Sequence, residues 1–153
     1  VGREYHTLVQ GVIPAGGTIN APIDRSPRDR KRMCVLEGGK LAVTHYRVLE
    51  KFPGFTYLQV FLETGRTHQI RVHLSHKGYP IVGDKTYGKG RIRLPKQLDF
   101  ACVEALQQFP RQALHAKKLT LIHPRTQETV SFEAPVPEDL HTLLETLRSL
   151  PTN

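Results

Sequence analysis

The chain has 153 residues, with 39% apolar side chains, 22 Lys and Arg against 14 Asp and Glu, and a formal net charge of +8. This length fits one domain with one core, and the basic excess favours a polyanionic partner, because Lys and Arg neutralise phosphates with release of counterions. No apolar run approaches the roughly 18 residues needed to cross a membrane, no signal peptide is visible, and Cys34 and Cys102 form neither a C-x-x-C pair nor a disulfide framework, so the expected compartment is a reducing cytoplasm.

Residues 5–13 read as a strand, in which Tyr5, Thr7 and Val9 alternate with His6, Leu8 and Gln10. A turn follows at 14–17, and 21–32 reads as irregular and charged. Residues 41–52 and 55–63 read as two strands, with Ala42, Thr44, Tyr46 and Val48 on one face of the first and Leu58, Val60 and Leu62 turned to the core in the second. Pro53-Gly54 joins them in an antiparallel hairpin. A helix is expected over 67–76, with Thr67 as N-cap and Gly78 as the C′ stop. Residues 82–96 read as loop, 97–109 as a short helix, and 119–122 and 129–133 as short strands. The last helix, 138–150, carries Leu140, Leu143, Leu144, Leu147 and Leu150 on one face after Pro137. The fold class expected is α+β, with a mixed, mainly antiparallel sheet and flanking helices.

The densest chemistry lies at Glu63-Thr64-Gly65-Arg66-Thr67-His68-Gln69-Ile70-Arg71-Val72-His73. It runs from a strand end through a glycine turn into a helix N-terminus, where free N–H groups attract anions. Arg71 is flanked by Ile70 and Val72, so it is either a surface side chain or a partly buried one that needs an anionic partner. His68, His73 and His76 lack the i, i+4 spacing of a shared metal site and have no carboxylate or Cys at a matching distance, so no metal is expected. Two basic loops suit phosphate contacts: Arg25, Arg28, Arg30, Lys31 and Arg32 in the first, Lys85, Lys89, Arg91, Arg93 and Lys96 in the second. Tyr79 and Tyr87 are open to a stacking or a packing role.

The segment GRTHQIRVHLSHKGYPIVGDKTYG, residues 65–88, closely resembles the signature of the pseudouridine synthases that act on ribosomal and transfer RNA. REYHTLVQG at 3–11, GGTINAPIDRSPRDRKRM, GKLAVTHYRVLE and RQALHAKKLTLIHP are similar to further segments of that family, in the family's order. Among its subfamilies, the large-subunit ribosomal synthase D type is the most similar. The resemblance implies isomerisation of uridine to pseudouridine without cofactor or metal, on a base flipped out of its stack. It implies that Arg71 pairs with a nucleophilic Asp, that Tyr5 contacts the base and moves the C5 proton, and that Leu62 or Val60 lines the base pocket. Expected RNA contacts are Arg25, Arg28, Arg30, Lys31, Arg32, Arg66, His68, Gln69, Lys85 and Tyr87.

The family carries its nucleophile in an R-L-D-x-x-T-x-G motif upstream of the tyrosine strand, and no such motif occurs in these 153 residues. Asp84, at the end of the signature, reads as a turn or structural residue. The chain is therefore expected to be the C-terminal part of a catalytic domain, without its nucleophile segment or a preceding RNA-binding domain, inactive alone, and monomeric when intact. The rival reading is a non-catalytic RNA-binding module.

Overall fold

A central hairpin organises the molecule. The computed structural model describes residues 2–88 and 93–150. Strands β5 (Val43–Phe52) and β6 (Phe55–Leu62) pair antiparallel through Pro53-Gly54, and Gly54 supplies the positive φ of 75° that the tight turn requires. Strand β1 (Gly2–Gln10) lies on the other side of β6, placing Tyr5 opposite Val60. Strand β7 (Leu114–Ile122) adds beyond β1, and β8 (Thr129–Glu133) beyond β7. With β2 (Gly17–Asn20) at the far edge, the sheet has six strands in the order β2-β5-β6-β1-β7-β8, every pairing antiparallel. This is the expected α+β architecture.

The sequence pattern understated the strands. Residues 21–32 are not wholly irregular: β3 (Ile23–Arg25) pairs with β4 (Met33–Val35), and the basic run between them is the loop of this small hairpin. Strand β7 begins five residues before the expected 119, because pairing with β1 holds Leu114 to Lys118 in the sheet where alternation is weak. The helix α2 (Phe100–Gln107) starts where Asp99 caps it, its side chain accepting the N–H of Cys102.

Helix α1 (Gln69–His76) starts later than expected, and its N-cap is His68 in the left-handed region rather than Thr67. Its C-cap is Lys77, with Gly78 following at φ 89° as anticipated. Ile70 and Leu74 join the main core with Leu8, Leu58 and Val60, while Val72 packs with Ile23, Ala42 and Tyr87 in a second cluster. Burial on both sides fixes the helix against the sheet. Helix α3 (Glu138–Arg148) buries Leu140, Leu143, Leu144 and Leu147 in the main core, as its spacing predicts. Among the described residues no helix is long and apolar enough to cross a membrane.

Candidate active site

Arg71 lies on the first full turn of α1, and its side chain is 13% exposed. A guanidinium at that depth requires a counter-charge. The partner is Asp84, whose side chain is only 1% exposed. Nε donates to Oδ2 at 2.8 Å and Nη2 donates to Oδ1 at 2.9 Å, a bidentate fork. The backbone N–H groups of Thr86 and Tyr87 also donate to Oδ1, each at 3.0 Å. Burial alone would push the Asp84 carboxyl up. The hydrogen bonds from Arg71 and from the Tyr87 and Thr86 N–H groups outweigh it and hold the carboxyl below its ordinary range. The same fork raises the Arg71 pKa.

The sequence reads Asp84 as a turn or structural residue, and the geometry gives it both roles. It is a turn residue and also the fixed anchor of Arg71. With its carboxylate occupied on both oxygens and shut away from solvent, it cannot attack a substrate. A guanidinium has five N–H donors. Two go to Asp84, and the remaining three have no partner among the described residues. They can grip a second carboxylate.

Arg71 lines a pocket of about 330 Å³ together with Arg3, Tyr5, Leu62, Arg66 and His68. Tyr5 reaches it from β1 and Leu62 from the end of β6, because β1 and β6 are neighbours in the sheet. Ile70 and Leu114 give it an apolar wall. Tyr5, Leu62, Arg66, His68 and Arg71, candidates from separate segments of the sequence, thus meet around one cavity. Val60, the alternative to Leu62, is fully buried in the core instead.

The loop entering α1 is held from beneath by Gln69, which is 2% exposed. Its Nε2 donates to the Val43 carbonyl and to Thr44 Oγ1, and its Oε1 accepts from Thr64 Oγ1 and the Arg66 N–H. Its amide is thus bonded inside the protein, although Gln69 borders the pocket. Arg66 is exposed, and its Nε donates to the Leu41 carbonyl at 2.8 Å. His73 is fully buried: its Nε2 donates to the Ala21 carbonyl and its Nδ1 accepts from Thr44 Oγ1. Both ring nitrogens of His73 are thus engaged inside the protein.

Tyr87 is 5% exposed, so its ring is packed rather than offered to solvent. The Arg71 guanidinium lies 4.9 Å from its centroid and that of Arg32 lies 5.3 Å away. Arg32 also donates to the Thr86 carbonyl, tying the β3–β4 loop to the segment that holds Asp84. Arg25, Arg28, Arg30, Lys31 and Lys85 are exposed and do not line the pocket. Arg93 and Lys96 lie away from it, while Lys89 and Arg91 fall outside the described residues. Arg3, Gln112 and Leu114 line the pocket without having been singled out from the sequence. Only the pairing of β1 with β7 brings Leu114 beside the tyrosine strand.

A family model described as RNA pseudouridylate synthase matches residues 1–76. The ribosomal large subunit pseudouridine synthase D of Pseudomonas aeruginosa is 55% identical over 148 residues, covering 97% of this chain and 46% of the relative. The protein of the same name from Escherichia coli K12 is 48% identical over 149 residues, covering 97% and 45%. The chain thus spans less than half the length of these curated relatives. Among solved structures, human RNA pseudouridylate synthase domain containing 4 superposes with a TM-score of 0.73 at 27% identity, over 99% of this chain and 64% of that one.

Proposed function

Because this chain belongs to the RNA pseudouridylate synthase family, we propose that it is the C-terminal part of the catalytic domain of an enzyme that isomerises specific uridines of large-subunit ribosomal RNA to pseudouridine. The reaction breaks the N1–C1′ bond and rejoins the sugar to C5 of the same base. The observation that carries this reading is the convergence of Tyr5, Leu62 and a buried, forked Arg71 on one pocket.

In this reading the target base enters the pocket against Leu62, Ile70 and Leu114. Tyr5 faces the base and takes the C5 proton as general base. The nucleophile is an aspartate from an upstream segment, held ionised and oriented by the Arg71 donors that Asp84 leaves open. Asp84 completes the charge balance beneath Arg71, so the guanidinium keeps its place before a substrate arrives. Arg66 and the exposed basic groups Arg25, Arg28, Arg30, Lys31 and Lys85 contact the RNA backbone, and Arg32 supports that surface from the Tyr87 side. Gln69 and Tyr87 contribute by holding the loop and the guanidinium rather than by touching RNA. The enzyme works as a cytoplasmic monomer without metal or cofactor.

The test is tritium release from 5-tritiated-uridine ribosomal RNA by the full-length protein. Arg71→Ala is expected to lower turnover by about 10²-fold or more, the scale seen when a preorganised electrostatic contact is removed, while most RNA binding survives. Near-normal release by this variant would refute the role given to Arg71. RNA binding by the wild-type protein with no release at all would leave only the binding module.

A further inference from the structure

His68 is set apart by its backbone. At φ 55° and ψ 24° it occupies the left-handed region, which costs a residue with a Cβ roughly 1–2 kcal/mol and persists only where its surroundings hold it. Two contacts hold it here. Its carbonyl accepts the Val72 N–H at 2.9 Å, opening α1, and its ring Nδ1 lies 2.8 Å from the Tyr87 hydroxyl.

That hydroxyl fixes the tautomer. It already accepts the Met33 N–H at 3.0 Å. Tyr87 is buried, so its single hydroxyl proton needs an acceptor, and His68 Nδ1 is the one within reach among the described residues. A ring that accepts at Nδ1 carries its own proton on Nε2. Burial, then the nearby Arg71 charge, disfavour a second proton and lower the His68 pKa. Nε2 has no partner among the described residues, and His68 lines the same pocket as Tyr5 and Arg71. A residue held at a conformational cost, with one nitrogen satisfied inside the protein and the other left as a directed donor, is arranged to meet an acceptor from outside.

We infer that His68 donates one neutral hydrogen bond from Nε2 to an oxygen of the nucleotide held in this pocket. The inference rests on the pseudouridine synthase reading and adds to it the donor, its tautomer and its dependence on Tyr87. The acceptor chemistry is that of a uracil carbonyl or of a phosphodiester oxygen beside the target. An uncharged donor suits the position, because it recognises oxygen without competing with Arg71 for a carboxylate. Tyr87 sets both groups, since its hydroxyl orients His68 while its ring packs against Arg71.

The experiment uses the full-length protein with ¹⁵N-labelled histidine and the tritium-release assay. The His68 resonances, assigned by their loss in His68→Gln, are expected to show Nδ1 unprotonated and Nε2 protonated at neutral pH. The opposite tautomer overturns the inference without reference to activity. In the assay His68→Ala is expected to lower kcat/KM by about tenfold, the upper end for a neutral hydrogen bond. His68→Gln, which keeps an amide donor, should recover most of that loss. The salt dependence of kcat/KM should stay that of the wild type, since no charge is removed. Replacing uracil O4 or O2 of the target by sulfur shrinks the His68→Ala penalty if the acceptor is the base carbonyl. Sulfur on the adjacent phosphate shrinks it if the acceptor is the backbone. His68→Ala within twofold of wild type, or His68→Gln no better than His68→Ala, sinks the hydrogen bond. Absence of release by the wild type sinks the parent reading instead.

Discussion

Removing the Asp84 carboxylate tests the site at its most buried point. Asp84→Ala would strand the Arg71 guanidinium at 13% exposure and leave the N–H groups of Thr86 and Tyr87 without their acceptor. Breaking a buried pair by deleting one partner costs about 3–5 kcal/mol, a large part of the 5–15 kcal/mol typical of a whole domain. At roughly 2–4 °C per kcal/mol for a domain of this size, its unfolding transition should fall by about 6–20 °C. Glu50→Gln is the control: the Glu50–Arg148 pair is 34% and 37% exposed, and an ion pair that open to water contributes about 1 kcal/mol or less. The pH dependence carries a sign. The folded Asp84 pKa lies below the ordinary 3.8, so its contribution is fully present above the unfolded value and is lost as pH falls through the folded one. The stability gap between wild type and Asp84→Asn should therefore be constant near neutrality and narrow below about pH 4. Thermal and urea unfolding of the full-length proteins measure both effects. A fall for Asp84→Ala no larger than that for Glu50→Gln, or a gap that widens on acidification, would refute the claim that Asp84 anchors Arg71.

Gly83 precedes that anchor at φ 81°, and a Cβ built on it would run into the Arg111 carbonyl. Gly83→Ala combines a left-handed backbone with overpacking, so a loss of about 2–4 kcal/mol is expected in denaturant unfolding. Arg28, Arg30 and Lys31 are exposed, and none of their side chains donates a hydrogen bond within the protein among the described residues. The triple Ala variant should therefore melt like the wild type. Its RNA affinity should fall, with a salt slope shallower by up to about 2–3 units if each group meets a phosphate. An unchanged slope in filter binding would remove this loop from the RNA surface.

Much of the molecule was legible in the sequence because local physics decided it. The leucine spacing of α3, the Pro-Gly hairpin and the β-branched strands follow from periodicities of 3.6 and 2, which neighbours in the chain impose by themselves. Arg71 could be singled out because an arginine between Ile70 and Val72 poses a solvation problem that sequence alone makes visible. Tyr5 rested on the family resemblance, since a lone strand tyrosine carries no signal of its own. What only the tertiary structure decided were the answers to such problems. The partner of Arg71 sits thirteen residues on, across a turn whose closure depends on the Tyr87 and Thr86 N–H groups. The N-cap passed from Thr67 to His68 because Tyr87, nineteen residues away, holds the imidazole. Leu114 joined the pocket because β7 pairs with β1 over more than a hundred residues of separation. Local pattern fixes which groups cannot remain alone in a low-dielectric interior, but the chain must close on itself before their partners are chosen.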